Sequence, residues 1–283
     1  MLRARSDHRR RRRPRRPRRT FGLLCALLTA AALTSGAAQA APGVPRAAPL
    51  LDPRDPDGAW AGYSVEGTGS PRSLPAGGVA GMDVSGHQGD VDWAKAWADG
   101  ARFAYVKATE GTGFRNSSFA QQYAGSHQVG MIRGAYHFAL PDRSSGAEQA
   151  NFFVDNGGGW SRDGRTLPGA LDIEYNPYGE ACYGLDPVAM SRWIADFSNT
   201  YHARTGRFPV IYTTTNWWNR CTGANPDFAP NNPLWIARYG PQLGQLPAGW
   251  GFHTIWQHSD RGPLPGGQDV FNGDLQQLRR FIS

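Results

Sequence analysis

From about Val79 onward, short runs of β-branched and aromatic residues alternate with stretches whose apolar positions recur every three or four residues. The short runs predict strands over 81–84, 103–108, 131–138, 170–175, 210–213, 234–238 and 254–257, with a last one near 269–271. Between them, Ser145 with Glu148 forms a capping box, and Asp186-Pro187 pairs an N-cap with a proline suited to the first helical position. The helix that Pro187 opens places Met190, Trp193, Ile194, Phe197 and Tyr201 on one face, and Gly206 ends it. Further helices fit 92–99, 118–127 and 274–281. Strands that alternate with helices predict a parallel α/β sheet, and eight strands in this length predict a single closed, TIM-like (β/α) barrel with few full helices.

Residues 41–78 show neither period and are rich in Ala, Pro, Gly, Ser and Arg, which predicts a flexible linker ahead of a barrel domain spanning 79–283. The first 40 residues differ again. Arginines crowd the segment before an apolar run from Phe21 to Leu33, and Ala38-Gln39-Ala40 follows as a small-residue cleavage pattern. This is the layout of an export signal cleaved near Ala40, so the mature chain is expected to be secreted and free of membrane. Arg18-Arg19 also fits a twin-arginine signal.

Charge changes meaning once the leader is set apart. The whole chain has 30 Lys+Arg against 23 Asp+Glu, a formal +7. Removing the eleven arginines and one aspartate of residues 1–40 leaves 19 against 22, a net of −3. A basic nucleic-acid-binding surface is therefore not expected, nor is electrostatic attachment to anionic polymers. The mature chain keeps two cysteines, Cys182 and Cys221, which in an oxidising compartment predict one disulfide. No Cys-x-x-Cys or His-Glu-x-x-His occurs, and neither a metal site nor a cofactor is expected.

The candidate chemistry sits in Leu171-Asp172-Ile173-Glu174. On a strand the two acids share a face, with α-carbons ~6.6 Å apart from the ~3.3 Å rise per residue. Two carboxylates in one cavity drive one pKa upward, leaving a proton donor beside an anion, which is the equipment glycosidic cleavage requires. Asp83 ends the first strand in the same manner, and Asp269 on the last strand closes the ring if first and last strands are neighbours. Tyr105, Tyr136, Tyr175, Tyr212, Trp235 and Trp256 lie on or beside these strands and offer aromatic faces to sugar rings. His137 alternates away from the cavity and reads as packing.

Six segments occur in order: Gly81-Met82-Asp83-Val84-Ser85 with Gln88-Gly89; Phe103 to Gly111; Arg133-Gly134-Ala135-Tyr136-His137-Phe138; Leu171-Asp172-Ile173-Glu174; Ile211-Tyr212-Thr213; and Trp256-Gln257. Together they resemble the family 25 glycoside hydrolases, the secreted N-acetylmuramidase type of lysozyme. The resemblance implies a flattened β/α barrel incomplete in its helices, acting on peptidoglycan; a monomer is expected. It implies Glu174 as general acid, Asp172 as its partner, and Asp83 and Asp269 as the remaining acids of the pocket. Tyr136, Tyr212 and Trp256, with Tyr105 and Lys107, are the expected substrate contacts, while Glu110 reads as structural. The Asp-x-Glu spacing favours attack by the substrate's own acetamido group over attack by an aspartate. The chain departs from the family's usual His-Trp-Gln-Gly, having Gly86-His87-Gln88-Gly89, and its pattern around 266–272 is irregular. A chitinase or N-acetylglucosaminidase, and a silent glycan-binding barrel, are the competing functions.

Overall fold

A computed structural model of the chain describes residues 78–283, together with the backbone of residues 59–60 and 63–64. The expected export signal, its twin-arginine motif and the Ala40 cleavage point lie outside the described residues. Within the expected linker, β1 (Ala59–Trp60) and β2 (Tyr63–Ser64) form a short antiparallel ladder.

Eight strands close on themselves. In spatial order they are β3 (Val79–Val84), β11 (Gly267–Phe271), β10 (Ile255–Ser259), β9 (Leu234–Ala237), β8 (Val210–Thr213), β7 (Ala170–Asp172), β6 (Ile132–Phe138) and β4 (Phe103–Glu110), and β4 returns to pair with β3. A two-residue arm, β5 (Phe114–Arg115), folds antiparallel onto the end of β4. The expectation of an all-parallel sheet is corrected at the seam, because β11 runs antiparallel to both β10 and β3. Only residues 260–266 join β10 to β11, too few for the crossover that a parallel pair requires.

The helices are α1 (Trp93–Ala98), α2 (Phe119–Gln128), α3 (Gly146–Phe153), α4 (Pro187–Thr205), α5 (Thr215–Thr222) and α6 (Leu275–Phe281). Among the described residues none lies between β9 and β10 or between β10 and β11. Local chemistry sets their ends. The Ser145–Glu148 capping box opens α3, Asp186 accepts from the amides of Val188 and Ala189 at the start of α4, and Gly206 closes α4 in the left-handed conformation that L side chains resist.

Strand alternation separates a core inside the barrel from two outside it, one of them formed by Met82, Val84, Ala104, Val106 and Met131 with Trp93 of α1. Val79, Phe103, Tyr105, Ile132, Ala170, Val210, Trp235, Ile255 and Phe271 fill the barrel, and Leu278 and Ile282 at the end of the chain join them. Leu171, Ile173, Ile211, Leu234, Ile236 and Val270 face outward, where Phe153 of α3 and Met190, Trp193, Ile194, Phe197 and Tyr201 of α4 cover them. Each buried Leu, Ile or Phe contributes roughly 1.5–3 kcal/mol. Cys182 and Cys221 are bonded, tying the segment after β7 to α5, with α-carbons 5.3 Å apart. Trp217 and Trp218 are buried beside this staple.

Candidate active site

The two acids of β7 point inward together. Leu171 and Ile173 belong to the outer layer, so Asp172 and Glu174 share the inner side even though regular pairing stops at Asp172. Both are buried, Glu174 to 1% exposure. Burial, and next the charge of Glu174, hold the Asp172 carboxyl well above the usual carboxylate range, while the Lys107 ammonium opposes the shift. The pair therefore holds a proton more tightly than separate carboxyls would. Asp172 Oδ1 is buried with no hydrogen-bond partner among the described residues, leaving one buried acceptor unused.

A second acid pair forms at the seam where the barrel closes. Gly267 lies opposite Asp83 and Asp269 opposite Gly81, which sets Asp269 one layer below Asp83 on the inner face. Asp83 and Asp269 influence each other's charge directly, and Asp269 Oδ2 is buried with no hydrogen-bond partner among the described residues. Burial raises the Asp83 pKa to about 6, against the lowering effect of the hydrogen bond from Gln257. Asp269 is pushed well upward by burial and then by the Asp83 charge, although the Trp235 indole donates to its Oδ1 at 2.9 Å. Gln257 is oriented from behind: the hydroxyls of Tyr212 and Tyr239 donate to its Oε1 at 2.9 and 3.0 Å, so its Nε2 donates to Asp83 Oδ2 at 2.6 Å. Glycine at 267 is a steric requirement here, since a β-carbon would lie 1.9 Å from Asp83 Oδ2.

Four carboxyls, three of them with raised pKa values, thus converge with buried phenols at one end of a closed barrel. A family model described as glycosyl hydrolases family 25 matches residues 82–267, which contain three of these acids and the Gln257 relay. The chain belongs to family 25. Among its relatives is an N,O-diacetylmuramidase of Arthroderma benhamiae, 47% identical over 79% of this chain and 94% of the relative. Lysozyme M1 of Streptomyces globisporus is 45% identical over 82% of this chain and 85% of its own length. Of solved structures, a muramidase from Acremonium alcalophilum is 58% identical with a TM-score of 0.71, covering 72% of this chain and 98% of that one. A family 25 lysozyme from Aspergillus fumigatus is 51% identical with a TM-score of 0.72, covering 72% and 99%.

In this family 25 barrel, Asp83, Asp172, Glu174, Asp269, Tyr136 and Tyr212 are brought together. Charges of Asp83, Asp172 and Glu174 all reach the Tyr136 hydroxyl, which burial first and these acids next hold in its neutral form. Lys107 faces the same pocket, 2.6 Å from Glu110 Oε2 and beside Tyr136 in register. Two expected contacts are corrected. Tyr105 is fully buried, stacked on Trp235 at 4.8 Å and donating to the Pro168 carbonyl, so it is barrel core beneath the pocket. Trp256 alternates with the inward Gln257 and packs in the outer layer, its indole donating to the Arg238 carbonyl. Gln257, Tyr239 and Trp235 are the residues the sequence reading left without a role in positioning the acids. A polar Gln257 following the apolar Ile255-Trp256, with the parity opposite to Trp256, was the available signal. Among the described residues no group of three or more His, Cys, Asp or Glu side chains is placed to hold a metal ion.

Proposed function

We propose that this chain is a muramidase that hydrolyses the β-1,4 bond between N-acetylmuramic acid and N-acetylglucosamine in peptidoglycan. The family and the names of its relatives support the activity. The observation that carries the residue roles is the inward, buried Asp172–Glu174 pair with a proton retained between them. In this reading Glu174 protonates the glycosidic oxygen as the C1–O bond breaks. The acetamido oxygen of the same sugar then attacks C1, and Asp172 accepts a hydrogen bond from the acetamido N–H, steadying the positive oxazolinium ring. With that N–H as its partner Asp172 is anionic and the proton of the pair resides on Glu174. Water then attacks C1 and gives a proton to Glu174, which restores the acid. Asp83, held by Gln257, shapes the electrostatics of the pocket beside them.

The architecture fits a TIM-like barrel flattened where helices are lacking between β9, β10 and β11. The leader read in residues 1–40 makes this a secreted enzyme, and no helix among the described residues is long and apolar enough to cross a membrane. The test is to treat purified peptidoglycan with the chain and with its Glu174→Gln variant, then reduce the new ends with borohydride and identify them by mass spectrometry. Reduced muramic acid from the unaltered chain alone is expected. Reduced glucosamine ends would make it a glucosaminidase, and no new ends from either would remove the catalytic reading.

A further inference from the structure

Two large apolar side chains at the rim of the cleft take no part in the chemistry above. Phe114, on the β5 arm, is 45% exposed, and Tyr178, after β7, is 43% exposed. Neither is loosely attached. The Tyr178 hydroxyl donates to Glu110 Oε1 at 2.5 Å, and the other oxygen of Glu110 accepts from Lys107 Nζ at 2.6 Å. That ammonium lies 5.3 Å from the centre of the Phe114 ring and 4.9 Å from that of Phe138. Phe138 is opposite Asp172 in the sheet, and the Lys107 charge reaches the Asp172 carboxyl. One largely buried ion pair, with side chains 13% and 11% exposed, therefore ties both exposed aromatics to the edge of the acid pocket.

We propose that Phe114 and Tyr178 form a carbohydrate-binding platform, a glycan subsite outside the acid pocket that grips the polymer beside the cleaved bond. The proposal rests on the muramidase reading. Exposed aromatic faces match the C–H faces of pyranose rings, and these two are held by one ion pair at the edge of the acid pocket. Lys107 and Glu110 neutralise each other, so the platform carries no net charge to draw the carboxylates of peptide stems. The sugar backbone is the part of the substrate it suits. Because Glu110 and Lys107 fix the two segments before substrate arrives, little ordering cost remains at binding.

The test measures binding and cleavage separately. Peptide-free glycan fragments of increasing length are titrated calorimetrically into the Glu174→Gln chain with and without Phe114→Ala, Tyr178→Ala or Tyr178→Phe. The alanine variants should weaken Kd for long fragments about tenfold, near the worth of one stacking contact. Tyr178→Phe, which keeps the ring, should lose far less than Tyr178→Ala. Unchanged Kd in both folded alanine variants, or a loss seen only with stem-bearing fragments, overturns the platform. Release of muramic acid ends by the unaltered chain tests the parent reading alone: cleavage with unchanged Kd removes only the platform, whereas no cleavage removes both.

Discussion

Tyr136 and His137 are neighbours in β6 that look into opposite worlds. Tyr136 faces the acid pocket, whereas His137 lies between the barrel and α3–α4, fully buried and packed against Phe153 and Phe197. Every polar atom of His137 is satisfied. Gln149 donates to the Leu140 carbonyl, so its Oε1 is the acceptor that Nε2–H meets at 2.9 Å, and Nδ1 then accepts from the Thr109 hydroxyl at 2.8 Å. Burial drives the pKa of this neutral imidazole down to about 4. At the mouth, burial instead raises Asp83, Asp172 and Asp269, and despite the Gln257 and Trp235 donors the acids crowd one another's charge. Both regions are desolvated. What separates structure from chemistry here is whether partners complete the buried groups or leave like charges crowded.

The sharpest way to break this contrast is at Glu174. Glu174→Gln should lower kcat by about 10³-fold or more, while thermal stability stays level or rises as one crowded charge is removed; the assay pairs turnover with a melting curve. The mirror experiment is His137→Leu. It leaves the Thr109 hydroxyl and Gln149 amide with a missing partner and should cost about 2–4 kcal/mol in urea unfolding. The pH dependence of kcat should keep its shape, because the ring does not face the pocket; a displaced profile would move His137 into the machinery.

Asp83 and His137 also oppose each other in pH. Asp83 has a folded pKa near 6, above its ordinary 3.8, so its contribution to stability is fully present below pH 3.8 and is lost as pH rises through 6. His137, depressed from 6.5 to about 4, contributes above pH 6.5, and that contribution is lost as pH falls through 4. Asp83→Asn should therefore be more stable than the unaltered chain at pH 7 by about 1–2 kcal/mol, discounting for partial exposure, with the difference gone below pH 4. Unfolding midpoints at pH 3.5, 5 and 7 read this directly. The smallest effect is expected from Trp256→Phe. A tryptophan in the outer layer should cost roughly 1 kcal/mol of stability and leave KM for peptidoglycan unchanged, whereas a raised KM would return it to the cleft.

Legibility varied with the range of the interaction. The helix caps at Ser145, Asp186 and Gly206 were readable because each depends on residues within one turn of chain. The helix face of Met190, Trp193, Ile194, Phe197 and Tyr201 was equally local, and so was the shared side of Asp172 and Glu174. Trp256 and Tyr105 were misplaced for the opposite reason. For Trp256 the face that a strand turns inward depends on its register with neighbours, and a one-residue change of parity exchanges cleft for outer layer; Tyr105 does face inward, but its depth below the pocket is set by how the strands stack across the barrel.

The sequence by itself determined the barrel's alternation, the acid pair of β7, the Cys182–Cys221 pairing and the outward orientation of His137, since periodicity and elementary charge chemistry act along the chain. Only tertiary structure decided the antiparallel last strand, the crowding of Asp83 against Asp269, and the Tyr212–Tyr239–Gln257 relay that reaches Asp83 across 174 positions. Those contacts exist because the sheet closes. Closure brings the first and last strands to hydrogen-bonding distance, removes water from between their side chains, and so sets the pKa values on which the chemistry depends.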